Sequence, residues 1–331
     1  MSGPGPAAVR DAAERIAGHI RRTPLLPGPF GTLLKAEHRQ RSGSFKLRGA
    51  ANAVLALGAD RIVTGSSGNH GIALATLAAQ LGIPVTVVMA AGASPAKAAL
   101  IHALGGHTIE VAGGVTEREA RARALAEETG AVFIPSSDHE LVVAGQGTVG
   151  AEILADAPDA EVVYVPTGGG GLLAGVCLAA QDHPVRVVGV EPAVVPRYAR
   201  SLAAGRPVRL PASTTVADGL RGQQPGTVTY PIIRERVDDL IAVSDSEILA
   251  ATALLGRCGI EAEPSGAVAL AGALRAGRAR GAVAIVSGGN TTAALHRRDH
   301  LSVWRGSDDH HSRERHLDRR PVGHRLPGSP G

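Results

Sequence analysis

The chain has 331 residues, 44% apolar but only 2% aromatic, so its core must rest on Ala, Val, Leu and Ile, and it lacks the stacking platforms of a single-strand nucleic-acid surface. Its formal net charge of +4 sits mostly at the end: from His296 onward there are 8 Arg against 5 acids, which leaves 26 basic and 25 acidic residues elsewhere and argues against a nucleic-acid partner for the body. Two cysteines without metal-ligand spacing imply no disulfide framework, and the absence of a leader pattern or an apolar stretch of bilayer length predicts a soluble, cytoplasmic protein of one or two domains with no membrane partner.

Helical periodicity runs from Ala7 to Ile20. Beyond Thr23-Pro24-Leu25, short β-branched runs alternate with helix-forming stretches as far as about residue 290. The predicted strands are Leu33 to Ala36, Arg61 to Thr64, Val85 to Met89, Thr108 to Val111, Val162 to Val165, Val185 to Val190, Asp239 to Val243 and Ala282 to Val286. Helical stretches such as Ser94 to Leu104, Glu117 to Thr129 and Ser246 to Arg257 lie between them. The alternation predicts an α/β fold, and near-continuous apolar runs such as VRVVGV and AVAIV suit parallel strands buried on both faces. The His/Arg-rich segment 296–331 has little apolar content and is predicted to be disordered.

Ligands of open α/β sheets collect beyond the carboxyl ends of strands, which directs attention to the loops there. Three lysines, Lys35, Lys46 and Lys97, stand against 31 arginines, and only a primary amine can condense with an aldehyde. Lys46, in SGSFKLRGA, precedes a helix starting near Leu47, where the positive dipole end disfavours a charged ammonium. Ser66-Ser67-Gly68-Asn69-His70-Gly71 follows a strand and opens a helix. One such polar residue would be an ordinary N-cap, but four in a row suit a carboxylate. Thr167-Gly168-Gly169-Gly170-Gly171 stands between a strand and a helix, as a phosphate cup would, although a glycine run alone is more often a flexible turn. Ser287-Gly288-Gly289-Asn290 places a hydroxyl at a strand end, and by itself is an ordinary turn.

Together with AGQGT (144–148), VEP (190–192), ADG (217–219) and EPSGA (263–267), these segments resemble, in order, the serine/threonine dehydratase and serine racemase family of fold type II (tryptophan synthase β-like) pyridoxal-phosphate enzymes. The resemblance covers about Arg21 to Asn290. It implies two domains, each a mainly parallel twisted sheet flanked by helices. Residues 1–55 with 136–295 would bind the cofactor, and 56–135 would form a smaller mobile unit gating the substrate. It implies pyridoxal 5'-phosphate held covalently by Lys46, which then serves as acid/base. Phe45 would pack on the cofactor, Asn69 would meet its 3-oxygen, Gly168, Gly169, Gly170 and Gly171 would hold its phosphate, and Ser287 would meet its ring nitrogen. Ser66, Ser67, Gly68, Asn69 and His70 would clasp the substrate carboxylate, and a homodimer or larger homo-oligomer is expected.

The implied activity is a lyase reaction taking a small β-hydroxy amino acid (L-serine, L-threonine or a hydroxyaspartate) to a 2-oxo acid and ammonia. Ser67, placed as the opposite-face acid/base of racemases, makes an amino-acid racemase the alternative. A nucleotide-binding module with a basic tail is the non-enzymatic alternative, and a β-replacement enzyme of the cysteine-synthase kind fits the fold but not the segment around Lys46. Metal-dependent relatives use a Glu, a carbonyl and an Asp where this chain has Glu191, Val195 and Arg197, so no metal is expected. The segment PSSDH (135–139) departs from threonine-specific members; Arg118 matches a basic residue near the pocket of racemase-like members, which could greet a second carboxylate such as that of a 3-hydroxyaspartate, but the favoured expectation is a solvated helix residue.

Overall fold

The computed structural model describes residues 3–66, 68–277 and 280–294, so the expectation for 296–331 lies outside the described residues. The chain opens with α1 (Pro6–Ile16), which buries Val9, Ala12 and Ile16 at helical spacing. A short pair follows, β1 (Leu25–Pro27) and β2 (Leu33–Lys35), then α2 (Lys46–Leu57). Three strand-helix units come next: β3 (Ile62–Gly65) with α3 (Asn69–Leu81), β4 (Val85–Ala90) with α4 (Pro95–Ala103), and β5 (His107–Val111) with α5 (Val115–Thr129). After β6 (Val132–Phe133) and α6 (Glu140–Asp156) come β7 (Val162–Pro166), α7 (Gly171–Ala179) and β8 (Arg186–Pro192). The rest comprises α8 (Arg197–Ala203), α9 (Thr229–Arg236), β9 (Asp239–Val243), α10 (Asp245–Arg257), α11 (Pro264–Arg275) and β10 (Ala282–Ile285).

The strands build two sheets. One has six strands in the order β1-β2-β10-β7-β8-β9, parallel except for the β1–β2 pair. The other has four parallel strands in the order β5-β4-β3-β6, all drawn from residues 62–133. This is the parallel-rich α/β architecture that strand-helix alternation predicts. The eight expected strands are all present, with ends shifted by a residue or two. β1 and β6 go beyond that set, because segments of three and two residues are too short for any periodicity to register. The first helix stops at Ile16 instead of Ile20. A turn over the next residues carries Ile20 back into the core beside Ile16.

Behind the sheet face, α2, α6 and α7 pack backbone against backbone. α6 is buried from Val142 through Gly150, and a Cβ on Gly145 would stand 2.6 Å from the Arg48 carbonyl oxygen. AGQGT is thus a contact surface that lets α2 sit close, which fixes where its first residue, Lys46, begins. Among the described residues, no helix is long and apolar enough to cross a membrane.

Candidate active site

Parallel strands end together, so β7, β10 and the segment before α2 deliver their loops to one place. Phe45, Lys46, Asn69, Gly168, Gly169, Gly170, Gly171 and Ser287 line a single pocket. The approach is fixed by backbone pairing: Phe45 N donates to Ser287 O at 3.1 Å, and Ser44 bridges Gly288. Lys46 is therefore tied to the strand exit that carries Ser287.

The three lysines separate by what they face. Lys35 Nζ donates to Glu152 Oε2 at 2.6 Å and Lys97 Nζ to Asp218 Oδ2 at 3.0 Å. Lys46 Nζ donates to a neutral carbonyl, Ser136 O, at 2.6 Å, and stands 5.2 Å from the centre of the Phe45 ring. With no carboxylate to stabilise its charge, burial alone brings its pKa from 10.5 down to about 8. It is the first residue of α2, where the helix dipole acts in the same direction. A nucleophilic amine needs this condition.

The glycine loop fits a phosphate. Among the described residues, the amides of Gly168 to Gly171 donate no hydrogen bond to another protein group, and they sit at the N-terminus of α7. The Gly169 carbonyl is turned away by Tyr198 Oη, which donates to it at 3.0 Å. Gly170 adopts φ +86, and a Cβ there would lie 1.9 Å from the buried Tyr198 hydroxyl. Gly170→Ala is accordingly expected to weaken pyridoxal-phosphate binding at least tenfold, as measured by equilibrium dialysis. Unchanged affinity would remove the loop from the cofactor site.

The second loop is arranged differently from the sequence expectation. Ser66 Oγ is buried and accepts from the amides of Gly68 (3.3 Å) and Gly71 (3.2 Å), so this hydroxyl shapes the turn. Asn69 Oδ1 accepts from Asn290 Nδ2 at 2.9 Å, and its amide nitrogen donates to Glu263 Oε1, which aims the side chain into the pocket. His70 is turned inward: Nε2 lies 3.1 Å from Ile134 O, and burial, followed by the charge of Lys46, pushes its pKa down to about 3. Its ring is neutral, so the loop offers an anion dipoles and amides but no charge from His70. Ser67 lies outside the described residues.

Several pocket residues escaped the motif reading. Ser137 lies against the glycine loop, where a Cβ on Gly169 would come 2.3 Å from its Oγ, and Ser136 holds Lys46. Both are positioned by Asp138, which accepts from the amides of Thr227 (2.8 Å), Val228 (2.8 Å) and Thr229 (3.2 Å) at the start of α9. PSSDH is therefore site architecture, and the paired hydroxyls Ser136-Ser137 followed by an acidic residue were the available signal. Glu263, quoted only within EPSGA, puts a buried carboxyl beside Asn69. Burial raises its pKa, with Lys97 opposing. Ser287 Oγ donates to Ser265 O at 3.3 Å.

Arg118 is half-buried rather than solvated, because its helix lies along β3 with its carbonyl and Cγ close against Gly65. Arg197 is buried and donates to the carbonyls of Leu220, Val195 and Thr167, while Glu191 accepts from the amides of Tyr198 (2.9 Å) and Ala199 (3.0 Å). A guanidinium thus occupies the carbonyl cluster, at the position where metal-dependent sequences have an Asp.

The fold and site define an enzyme whose pocket, with its glycine loop and buried amine, fits a phosphate-bearing aldehyde cofactor. Comparison with known proteins agrees: the profile described as "Pyridoxal-phosphate dependent enzyme" matches residues 16–294, and the chain belongs to that family. It is 38% identical over 281 residues to the serine racemase of Oryza sativa subsp. indica, covering 81% of this chain and 83% of that protein. It is 39% identical over 302 residues to the L-threonine ammonia-lyase of Geobacter sulfurreducens, covering 85% and 74%. Among solved structures, a threonine deaminase from T.th. superposes with a TM-score of 0.82 at 42% identity, covering 87% of this chain and 99% of that one. Maize serine racemase gives 0.84 at 34% identity, covering 94% and 100%. The family named from motifs and the family found by comparison are the same, and pyridoxal phosphate is its cofactor.

Proposed function

We propose that this protein is an ammonia-lyase that takes a small β-hydroxy amino acid, L-serine, L-threonine or a 3-hydroxyaspartate, to a 2-oxo acid and ammonia. The observation that carries it is the Lys46 amine: alone among the three lysines it faces no carboxylate, and it shares a pocket with the glycine cradle. Bound pyridoxal phosphate supplies an electron sink for the substrate's α-carbon. The chain supplies the rest. Lys46 Nζ, with its pKa near 8, takes the α-proton at neutral pH and can return a proton to a leaving group. The Gly168 to Gly171 amides bind phosphate, Phe45 and Asn69 orient the ring, and the 66–70 loop binds the substrate carboxylate. Ser287 offers a neutral hydroxyl where a carboxylate would hold a proton on the ring nitrogen. This favours early loss of the β-hydroxyl over prolonged negative charge on the α-carbon.

Relatives named L-threonine ammonia-lyase, and the L-threo-3-hydroxyaspartate ammonia-lyase of Saccharomyces cerevisiae at 38% identity, support this choice. The relatives named serine racemase keep racemisation as the second possibility, with Ser67 as its second acid/base. Turnover of the three substrates, followed as 2-oxo acid, with chiral analysis of residual serine, tests the choice. Pyruvate is expected to outpace D-serine, and the reverse ratio would make the protein a racemase.

We further infer a cytoplasmic homo-oligomer. Residues 1–55 with 136–295 form its cofactor-binding part and 56–135 its substrate gate, a division supported by the separate four-stranded sheet. Arg197, in place of a metal ion, provides positive charge beside Glu191.

A further inference from the structure

Lys97 takes no part in the chemistry above, yet it is buried, on the first turns of α4, beside the loop assigned to the substrate carboxylate. A Cβ built on Gly68 meets a single group within 4 Å, the Lys97 Nζ at 3.8 Å. The loop itself lacks a cation, because Ser66, Gly68 and Asn69 are neutral and the His70 ring is uncharged. Two other cations act on this loop: Lys46, assigned to the cofactor, and Arg118, which lies against Gly65, and both lower the pKa of His70.

The partner of Lys97 is unequal to it. The Lys97 side chain is 10% exposed, whereas that of Asp218, 3.0 Å away, is 47% exposed and shares its second oxygen with Ser265 Oγ at 3.1 Å. Asp218 is therefore hydrated and shared, while the ammonium is not. Glu263, the other carboxyl near Lys97, is pushed by burial toward its neutral form, and water screens Asp218 more than the ammonium, so Lys97 keeps an attraction for a further carboxylate at Gly68.

Resting on the assignment of the 66–70 loop to the substrate carboxylate, we propose that Lys97 is the counter-charge of that carboxylate, competed for by Asp218. Lys97 is a positioning and specificity residue: it selects amino acids bearing a free α-carboxylate and holds that group against the Gly68 turn. Lys97 and Asp218 then have opposite effects. Removing the lysine charge weakens carboxylate recognition, whereas removing the aspartate charge strengthens it. A plain structural tie between α4 and the Asp218 turn would make both losses harmful.

The test compares the best substrate of the panel with its carboxamide, as the ratio of kcat/KM values, on cofactor-loaded enzyme. Lys97→Gln is expected to lower that ratio tenfold or more, mainly through KM for the acid. The carboxamide should change less than threefold and retained cofactor should be unchanged by absorbance. Lys97→Arg should restore the ratio to within threefold of wild type. Asp218→Asn, which keeps the size and one accepting oxygen but removes the charge, is expected to raise the ratio at least twofold, and it carries the test should Lys97→Gln fail to fold. Equal losses on acid and amide, or a ratio lowered or unmoved by Asp218→Asn, would overturn the role of Lys97. A wild-type enzyme indifferent to the carboxamide replacement would overturn the loop assignment and the proposal with it.

Discussion

Lys46→Ala is expected to abolish turnover, with kcat at least about a thousandfold lower. Loss of one acid/base group costs about 10²–10⁴-fold, and loss of the covalent anchor adds to it. The residual protein should still bind pyridoxal phosphate weakly through the Gly168 to Gly171 amides, but borohydride reduction should fix no cofactor to the chain. Lys46→Arg should fare no better, because a guanidinium does not condense with the aldehyde. The pH dependence carries a sign. Burial lowers the Lys46 pKa to about 8, so the rate of cofactor capture by the apoprotein should climb to about pH 8 and then level off. An amine at its ordinary value would keep accelerating past pH 10. Because the folded pKa lies below the unfolded one, the unfolded chain holds the extra proton between the two. Apoprotein stability from this group therefore rises with pH between about 8 and 10.5, and holding the charge below pH 8 is a cost. Reduced cofactor found on Lys35 or Lys97, or full turnover by Lys46→Ala, would sink the site.

What the sequence made legible divides by distance along the chain. The loops Ser66 to His70, Gly168 to Gly171 and Ser287 to Asn290 each combine a strand end, glycines and polar groups within a few residues, and they are found at strand ends as expected. Selecting Lys46 was less local. Lys35 is paired with Glu152 and Lys97 with Asp218, partners 117 and 121 residues away, which no spacing rule reveals. The same limit explains His70, whose ring is claimed by the carbonyl of Ile134, 64 residues on. It also explains Ser136, whose carbonyl meets Lys46 because Asp138 caps a helix some 90 residues later. Ser66 carries a local role that the motif does not display: its hydroxyl oxygen accepts from two amides of its own turn, which leaves its O–H to donate. Arg118 was expected in solvent because a helix of this composition reads as exposed, whereas packing along β3 turns its position toward Gly65.

Arg48→Met is expected to destabilise the apoprotein by about 3–5 kcal/mol, the cost of removing one member of a buried charge group. Arg48 lies two residues after Lys46 and is fully buried. Its guanidinium grips Glu37 through Nε (2.9 Å) and Nη2 (2.8 Å), and Glu152 through Nη1 (2.7 Å) and Nη2 (2.9 Å). Lys35 and Thr23 complete the group, with Thr23 Oγ1 donating to Glu37 at 2.5 Å. Two cations and two carboxylates thus balance inside the core, and methionine would fill the space while leaving both carboxylates short of their shared partner. Urea denaturation should register the loss as a lower midpoint. The first turn of α2 is held between the segment after β2 and α6 by these contacts, so in urea-free buffer Lys46 should also lose cofactor more readily. Acid acts on the same group. Burial alone would raise the Glu152 pKa, but Arg48 and Lys35 outweigh it and hold it below 4.5. Its stabilisation is therefore complete above the unfolded value of 4.5 and is lost as pH falls through the folded one. Arg48→Met should flatten that acid limb, and replacing Glu37 and Glu152 by glutamine in the same chain should recover part of the neutral-pH loss. A stability within about 1 kcal/mol of wild type for Arg48→Met alone would mean that the network does not hold α2 in place.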